Sequence, residues 1–427
     1  MLAERWSRPD GVRQQVTDDR PRNLRSMLTE AKDASELMLD LAYASVYFGD
    51  PDMAEEVDQL EEQMDDLVHD MRAVCILAVR KPKEADSMAS VLQVISAIER
   101  IANAAANIAR IVTHRLGIPR ELVADLSEAE EVAHRVLIRD GSHMAHRPLA
   151  ALELPVATGM RIMAIRRGRD WIIDDIRGDQ VVQPGDVLFC EGSPAGITRL
   201  RELAGASPWA PAMVPDGAVL TDLDRAVDTL VEMKNISEAA VGLAYSALVL
   251  GDRSLALEVR HLEDRLDEMK DRLEVWVLRA GAADIDPSPL RGLLALSQAA
   301  EDIGDQAQQM VWLIEHDEDI HPILGLALGE SDEVVLRIPV APGSDADGAK
   351  LSELELHIEP GFQILAIKRD GRYRYQPRRY VQLEAGDELI VSGPDEGRAL
   401  MAARLGWRFT LDEETGEHDL APLDRVR

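Results

Sequence analysis

The sequence is poor in aromatic residues and in cysteine, which limits how it can build a core or a site. Aromatics make up 4% of the 427 residues, so the core must be packed mainly from Leu, Val, Ile, Ala and Met. Cys75 and Cys190, the only two cysteines, lie in apolar runs and predict buried free thiols. A disulfide framework and a cysteine-based zinc site are therefore excluded, and a reducing cytoplasm is expected.

Lysine is also scarce. The chain has 47 basic residues, of which only seven are lysine, against 78 acidic residues, and its formal net charge is −31. Such a surface repels nucleic acid and anionic lipid headgroups, so we expect neither as a partner. An acidic surface with arginine in place of lysine suits concentrated salt, where screening shortens the reach of self-repulsion, and we expect a halophilic source.

No uncharged apolar run reaches the roughly 18 residues that a membrane-spanning helix needs, and the first residues lack the apolar core of a signal peptide. Direct membrane insertion is therefore not expected. No Ser-centred elbow, Cys/His pairing or phosphate-cradling glycine loop occurs either. We therefore predict that the protein is not an enzyme.

An internal repeat organises the chain. Residues 35–50, SELMLDLAYASVYFGD, align without a gap on residues 237–252, SEAAVGLAYSALVLGD, at an offset of 202 with seven of sixteen identities. Later pairs keep this offset or slip by one residue: Glu99 and Glu301, Gly159 and Gly361, and Gly185-Asp186 and Gly386-Asp387. A duplication of one whole module explains all of them.

Each copy has two parts with different periodicity. In the first part apolar residues such as Val57, Leu60 and Met64 recur at threes and fours, which predicts long helices in an antiparallel bundle. In the second part short apolar runs lie between glycine-containing turns, as at residues 161–165, which predicts short strands. The predicted fold is α+β multidomain, with all-α bundles alternating with small α/β domains in tandem.

The predicted boundaries follow from composition. Pro, Gly, Asp and Ser accumulate near 114–132, 206–220 and 316–332, which indicates linkers. The chain is accordingly divided into a tail at 1–22, a helical bundle at 23–115, a β-rich domain at 130–205, a second bundle at 220–316, a second β-rich domain at 332–407 and an acidic tail at 408–427.

Paired carboxylates are the strongest candidate site. In the second copy Glu263/Asp267 and Glu301/Asp305 each have i, i+4 spacing at the edge of the apolar face of a helix. Two adjacent helices with this offset bring four carboxylates together, a ligand set that favours Mg, Ca, Mn or Fe. The alternative is that these acids belong to the general surface of an acidic protein.

The first copy carries a weaker version of the same pattern. Its helices place Glu61 and Asp65 opposite Glu99 and Asn103. An asparagine coordinates through its carbonyl oxygen without supplying charge. We therefore predict weaker binding of a divalent ion at this site than at its counterpart.

These segments resemble known families. EEVDQLEEQMDDL and IERIANAAANIARI, with their copies LEVRHLEDRLDEM and AEDIGDQAQQMVWL, resemble the acidic helix signatures of PhoU-domain proteins. LELPVATGMRIMAIRRG and LELHIEPGFQILAIKRDG resemble the TrkA-C (RCK-C) subdomain of potassium-transport regulators. The resemblance covers most of residues 24–205 and 222–406, and the alternating order is similar to archaeal proteins that combine the two domains.

The resemblance implies metal binding by the PhoU-like pairs and ligand sensing by the RCK-C-like domains, which in relatives pair at a dimer interface and bind cyclic di-AMP or ions. No Rossmann half precedes either RCK-C-like domain, so no NAD binding is expected. Two basic islands are candidate contacts for a phosphate-bearing ligand or, alternatively, charges that guard a strand edge. They contain Arg161, Arg166, Arg167, Lys368 and Arg369.

The predicted function is a cytoplasmic regulatory subunit of a membrane cation transport system, with potassium as the leading candidate. Its expected partner is a membrane transporter or channel, through which the chain is held at the membrane, and a homodimer is the favoured assembly. The alternatives are a PhoU-type adaptor in phosphate signalling and a regulator of a magnesium transporter, whose cation the acidic pairs sense directly.

Overall fold

The structure is a computed structural model, and it describes residues 23–119, 122, 125–126, 129, 131–173, 176, 178–208, 221–282, 287–316, 320–375, 377–411 and 418–423. The predicted tail at 1–22 lies outside these residues. None of the described helices is long and apolar enough to cross a membrane.

The first bundle consists of α1 (Leu24–Phe48), α2 (Pro51–Ala78) and α3 (Pro82–Thr113). The turn between α1 and α2 is dictated by two residues. Gly49 ends α1 at φ 60°, a conformation that favours glycine, and the Asp50 side chain then caps α2 by accepting from the backbone N–H of Asp52.

The second bundle repeats this plan with α6 (Asp222–Leu250), α7 (Arg253–Gly281) and α8 (Ser288–Glu315). Its first turn uses the equivalent residues, Gly251 at φ 59° and Asp252 as the cap of α7. A short helix, α9 (Pro322–Leu328), follows inside the predicted linker at 316–332 and contacts α1 and α6. Leu324, Ala327 and Leu328 are buried there, so the segment is helical because it covers an apolar seam.

Each bundle is followed by a four-stranded antiparallel sheet. The first contains β1 (Val132–Leu137), β2 (Met160–Arg167), β3 (Asp170–Ile172) and β4 (Val187–Gly192) in the order β1-β4-β2-β3. The second contains β5 (Glu333–Pro339), β6 (Gln363–Arg369), β7 (Arg372–Tyr375) and β8 (Glu388–Pro394) in the order β5-β8-β6-β7. Short helices accompany them, α4 (Leu154–Thr158) and α5 (Ile197–Leu203) in the first, α10 (Leu351–Leu354) and α11 (Arg398–Arg404) in the second.

The C-terminal segment differs from the solvated tail predicted at 408–427. Strands β9 (Trp407–Leu411) and β10 (His418–Pro422) pair as an antiparallel hairpin. The indole Nε1 of Trp407 donates to the carbonyl oxygen of Pro339 at 2.6 Å, and Phe409 packs against the core of the second sheet. Trp407 and Phe409 alternate along β9, so both side chains lie on the face that packs against the domain. The hairpin therefore docks although the segment is acidic.

One hydrophobic core runs through both bundles. It includes the bundle-facing side chains of both sheets, among them Ala164 and Phe189 of the first sheet and Ala366 and Ile390 of the second. The opposite face of each sheet has its own smaller core. The sheets are therefore packed on the bundles and share their core, instead of being tethered beside them.

Two buried lysines join the two copies. Lys32 and Lys234 are equivalent positions and are only 2% and 4% exposed. Each lies over the tyrosine ring of the other copy, Lys32 over Tyr245 at 5.0 Å and Lys234 over Tyr43 at 5.1 Å. Reciprocal contacts between equivalent residues define a pseudo-twofold relation between the copies.

Carboxylates complete a central charged network around these lysines. Lys32 Nζ contacts Glu36 at 2.7 Å and Lys234 Nζ contacts Glu238 at 2.5 Å. The other members are Asp40, Glu131, Arg161, Glu191 and Glu333. The network thus holds six carboxylates against three bases, and it lies where α1, α6 and the two sheets meet.

The two sheets also contact each other within the chain. At Gly159 (φ 65°) an added Cβ would lie 2.1 Å from the carbonyl oxygen of His357, and at Gly361 (φ 86°) it would lie 2.4 Å from that of Pro155. Pro155 and His357 are themselves equivalent positions, so this contact is reciprocal too. Glycine is required at both places because backbone meets backbone. The homodimer stays a prediction, since the sheets already pair internally.

From the charged network we predict that the free energy of unfolding decreases as the pH rises. Loss of water, and then the charges of Glu333, Glu238 and Asp40, raise the pKa of Glu131 to about 8 from 4.5. Between these two pKa values the carboxyl group of Glu131 keeps its proton in the folded chain and has lost it in the unfolded chain. Its contribution to the free energy of unfolding therefore decreases as the pH rises through this range, by at most about 1.4 kcal/mol per pH unit.

Glu131→Gln should therefore flatten the pH dependence, since glutamine keeps the acceptor for the Gln363 amide and carries no proton to lose. The measurement is chemical unfolding at several pH values from about 5 to about 8. Glu55→Gln, at an exposed position on α2, is the control and should leave the dependence unchanged. An equally steep loss of stability in Glu131→Gln would contradict the assignment.

Candidate metal centre

Three acidic side chains of the second copy converge between two helices. Glu263 and Asp267 lie on α7 and Asp305 lies on α8, and each offers one carboxylate oxygen within 4.8 Å of the others. Glu263 and Asp305 are half-buried and Asp267 is exposed. The cluster therefore lies at the edge of the helix interface, where the i, i+4 spacing predicts it.

The local sequence brings the two helices close together. Leu262 and Leu266 of α7, on either side of Glu263 in the sequence, are both buried. Gly304 precedes Asp305, and a Cβ at this glycine would lie 2.4 Å from Leu266 Cδ1. The glycine thus gives Leu266 room to pack against α8, which brings the carboxylates of α7 near that of Asp305.

The three carboxylates repel one another, and Lys270 offsets their charge only in part. Burial and then the charges of Asp267 and Asp305 raise the pKa of Glu263 to about 7. Burial, followed by Asp267, also raises the pKa of Asp305. The polar contact of Glu263 with Gln308, whose Nε2 donates at 2.9 Å, supplies no full positive charge. A cation between the three carboxylates would remove their repulsion.

Glu301 is placed differently from its three predicted partners. Its Oε2 lies 3.0 Å from Lys270 Nζ and accepts from Gln298 Nε2 at 2.8 Å. Burial raises the pKa of Glu301, and Lys270 opposes that rise. The charge of this glutamate is therefore neutralised inside the protein, and the structure leaves three acids rather than four for a metal ion.

The donor set fits a hard divalent cation. Carboxylate oxygens are the ligands that Mg²⁺, Ca²⁺ and Mn²⁺ prefer, and Fe²⁺ also accepts them. Glu263, Asp267 and Asp305 would hold the ion, whose chemistry here would be charge neutralisation and the bridging of α7 to α8. Two helices joined by one ion form a site that responds to the ion's concentration.

The first copy neutralises its acids with arginine. Arg72 donates through Nη2 to Glu99 Oε2 at 2.5 Å, and Arg110 lies 3.5 Å from Asp58 and 3.9 Å from Glu61. Asp65 is exposed and Asn103 half-buried on the same pair of helices. The helix patterns did not predict that these two arginines would pair with the acids. The alignment of the two copies at an offset of 202 does show that the arginines occur in the first copy alone. The second copy has Glu274 and Trp312 at those two positions.

Two of the predicted ligand arginines form internal ion pairs. Arg167 donates to both carboxylate oxygens of buried Asp186 at 2.9 and 2.8 Å, and Arg369 donates to both of buried Asp387 at 2.6 Å. The aspartates belong to the repeated Gly-Asp turns. These bidentate pairs fix the turn before β4 and β8 to the neighbouring strand.

The other three predicted contacts are spread over the two sheets. Arg161 donates to Asp40 in the central charged network, and Lys368 lies 3.4 Å from Glu388. Arg166 lines a cavity of about 520 Å³ beside the first sheet. The structure therefore does not gather the five residues into one site, and of the five it is Arg166 that lines this cavity.

Duplicated acidic bundles with small antiparallel sheets packed on them define a class of two-part regulatory protein. Family models confirm it: the PhoU domain matches residues 28–112 and 230–313, and the TrkA-C domain matches residues 133–205 and 335–406. The chain belongs to the proteins that combine these two domains, here each twice in tandem. The resemblance to PhoU and TrkA-C domains in tandem and the predicted fold class are thus confirmed, and both domain families are regulatory rather than catalytic.

Solved structures with similarity include two PhoU proteins. The one from Pseudomonas aeruginosa is 15% identical, with a TM-score of 0.37 over 68% of this chain and 93% of its own. The phosphate transport system regulatory protein PhoU from Streptococcus pneumoniae is 11% identical, with a TM-score of 0.38 over 70% and 95%. The GsuK channel bound to NAD is 13% identical, with a TM-score of 0.18 over 73% and 65%. No curated protein matches the chain in sequence.

Asp305→Asn tests the metal centre, because it gives the second copy the asparagine that the first copy has at position 103. The variant should unfold at a higher temperature than the parent without metal, since repulsion is relieved. It should also lose most of the stabilisation that the parent gains from Mn²⁺ or Mg²⁺. Thermal unfolding with and without each ion measures both effects.

Glu301→Gln and Glu99→Gln are the matched controls. Both glutamates are paired with internal bases, Lys270 and Arg72, so these variants should keep the stabilisation by metal even where the basal stability falls. A metal-induced shift of equal size in Asp305→Asn and in the parent would rule out the three-carboxylate centre.

Proposed function

We propose that the chain is a cytoplasmic regulatory subunit of a membrane cation transport system, with potassium as the leading candidate for the transported ion. The bundle of the second copy senses a divalent cation through Glu263, Asp267 and Asp305. The TrkA-C domains sense a small ligand, for which cyclic di-AMP or another nucleotide is the candidate. The partner is a membrane transporter or channel that the chain contacts without entering the bilayer.

One observation supports this proposal: both bundles and the bundle-facing side chains of both sheets share a single core. Phe189 of the first sheet stacks edge-on against Phe48 at the end of α1, with ring centroids 5.6 Å apart. In the second sheet Tyr373 and Arg337 both donate to Asp252, the cap of α7. A ligand that shifts either sheet therefore acts on the ends of the bundle helices, which is what a regulator needs.

The asymmetry between the copies supports a division of labour. In the second copy the helix acids lack internal arginines, whereas in the first copy Arg72 and Arg110 already neutralise them. An ion therefore adds more free energy of stabilisation in the second bundle than in the first. Cation input belongs to the second copy, and the first bundle serves as a scaffold that does not depend on metal.

One experiment distinguishes this function from two alternatives. The PhoU match favours an adaptor in phosphate signalling, in which the sheets only hold the bundles together. The acidic cluster favours a regulator of a magnesium transporter, since the ion sensed and the ion carried would then be the same. Each alternative predicts a different transport defect.

Deletion of the gene in its source organism tests the proposal. We expect altered potassium uptake, followed with rubidium as a tracer, and normal growth when phosphate is limiting. The parent chain should restore uptake, and Asp305→Asn should restore it without its dependence on divalent cations. A tagged full-length chain should co-purify with a membrane cation transporter.

Three results would decide against potassium. A defect confined to phosphate starvation would identify the phosphate adaptor, and a defect confined to magnesium uptake would identify the magnesium regulator. Unchanged uptake of all three ions, with no transporter retained by the tagged chain, would reject a role in transport.

A further inference from the structure

A cavity of about 520 Å³ lies beside the first sheet, and four arginines line it. Arg135 comes from β1, Arg166 from β2 and Arg201 from α5, while Arg139 lies in the loop after β1. Leu137 and Phe189 supply an apolar wall. Four guanidinium groups around one cavity are unexpected in a chain with a net charge of −31.

The arginines of this cavity have little compensating negative charge. Among the described residues no carboxylate lies within ion-pair distance of Arg135, Arg139 or Arg201. Arg166 has only long contacts, 3.9 Å to Asp50 and 3.8 Å to Asp52. An acidic protein normally pairs its arginines, so four that face one cavity with so little compensation indicate a place for an external anion.

Aromatic rings hold two of these arginines without neutralising them. The guanidinium of Arg135 lies 5.3 Å from the centre of the Phe48 ring, and that of Arg166 lies 5.5 Å from the Trp171 ring. Such stacking fixes the plane of a guanidinium and leaves its N–H groups free to donate. Arg201 is held by the carbonyl oxygen of Ser207 at 2.7 Å.

A neighbouring histidine reports the same excess of positive charge. Burial, followed by the charges of Arg201 and Arg135, lowers the pKa of His134 to about 4. The imidazole is therefore neutral at physiological pH and adds no charge of its own. Its Nε2 lies 3.2 Å from Arg201 Nη1 and positions that arginine.

The second copy shows the same fold without the anion site. Its residue equivalent to Arg135, Arg337, is paired with Asp252. Lys368, the equivalent of Arg166, lies 3.4 Å from Glu388, which stands where the first copy has Val187. The two remaining arginines are replaced by Ala341 and Ala402. The fold does not require the cluster, so its presence in one copy calls for a separate reason.

We propose that this cavity binds a small organic anion of the nucleotide class, with its phosphate groups on the four arginines and its apolar or aromatic part against Leu137 and Phe189. This assignment rests on the proposed ligand-sensing role of the first TrkA-C domain and names the site and its ligand chemistry. The volume lies in the range of about 300–1,000 Å³ that small-molecule pockets occupy and exceeds what one phosphate group fills.

Calorimetric titration of the full-length chain tests the proposal, with AMP, ATP, cyclic di-AMP and inorganic phosphate as probes. We expect at least one nucleotide to bind, and Arg139→Gln to raise its Kd at least about tenfold, the loss that follows from one charge-assisted contact. Arg139 has no ion pair with any residue that the structure describes, so this variant should fold with unchanged thermal stability.

Arg374→Gln is the matched control, because it removes the same charge from an exposed position on the second sheet. Its Kd should stay within about twofold of the parent's. Failure of all nucleotides to bind, binding of inorganic phosphate alone, or an equal Kd in Arg139→Gln and the parent would each overturn the proposal.

The transport experiment fails or succeeds independently of this one. Nucleotide binding that depends on Arg139, in a protein whose deletion leaves ion uptake unchanged, would keep the site and reject the transport role. Altered potassium uptake without nucleotide binding would reject the site and keep the transport role.

Discussion

The remaining structure depends on two buried lysines, each of which contacts a tyrosine of the other copy. Lys32 and Lys234 are removed from water, and a buried ammonium ion is stable only when its charge is met. Each one pairs with a glutamate of its own copy and lies over a tyrosine of the other. Neither half of the chain can complete this arrangement alone, so the duplicated module folds as one unit with one core.

Around this common centre the two copies have diverged in the charges that they leave unpaired. The second bundle keeps three clustered acids whose charge Lys270 offsets only in part, while the first bundle meets its acids with Arg72 and Arg110. The β-rich domains show the opposite bias, since the first carries four poorly compensated arginines and the second has alanine or an internal acid partner in their place. The proposed cation site and the proposed anion site thus lie in different copies, although the backbone plan is the same.

Patterns along the chain predicted the repeat, the helices, the strands and the convergence of Glu263, Asp267 and Asp305, because these depend on spacing within one element. Contacts between elements were harder to predict. The pairing of Glu301 with Lys270 and of Glu99 with Arg72 depends on which helices are neighbours. The hairpin at the C-terminus was missed because the acidic composition of the segment outweighed its short alternation.

In each copy the sheet contacts the bundle at the turn between the first two helices. In the second copy Asp252, which caps α7, is held by both Arg337 and Tyr373 of the sheet, so that junction is fixed. In the first copy the sheet residue that the described structure places near the equivalent cap, Asp50, is Arg166, at 3.9 Å. An anion that engages Arg166 would withdraw it from Asp50, whose charge is still stabilised by the N-terminus of α2. The junction that the proposed anion would alter thus belongs to the copy whose helix acids are paired with arginine, so the proposed responses to anion and cation would be separate.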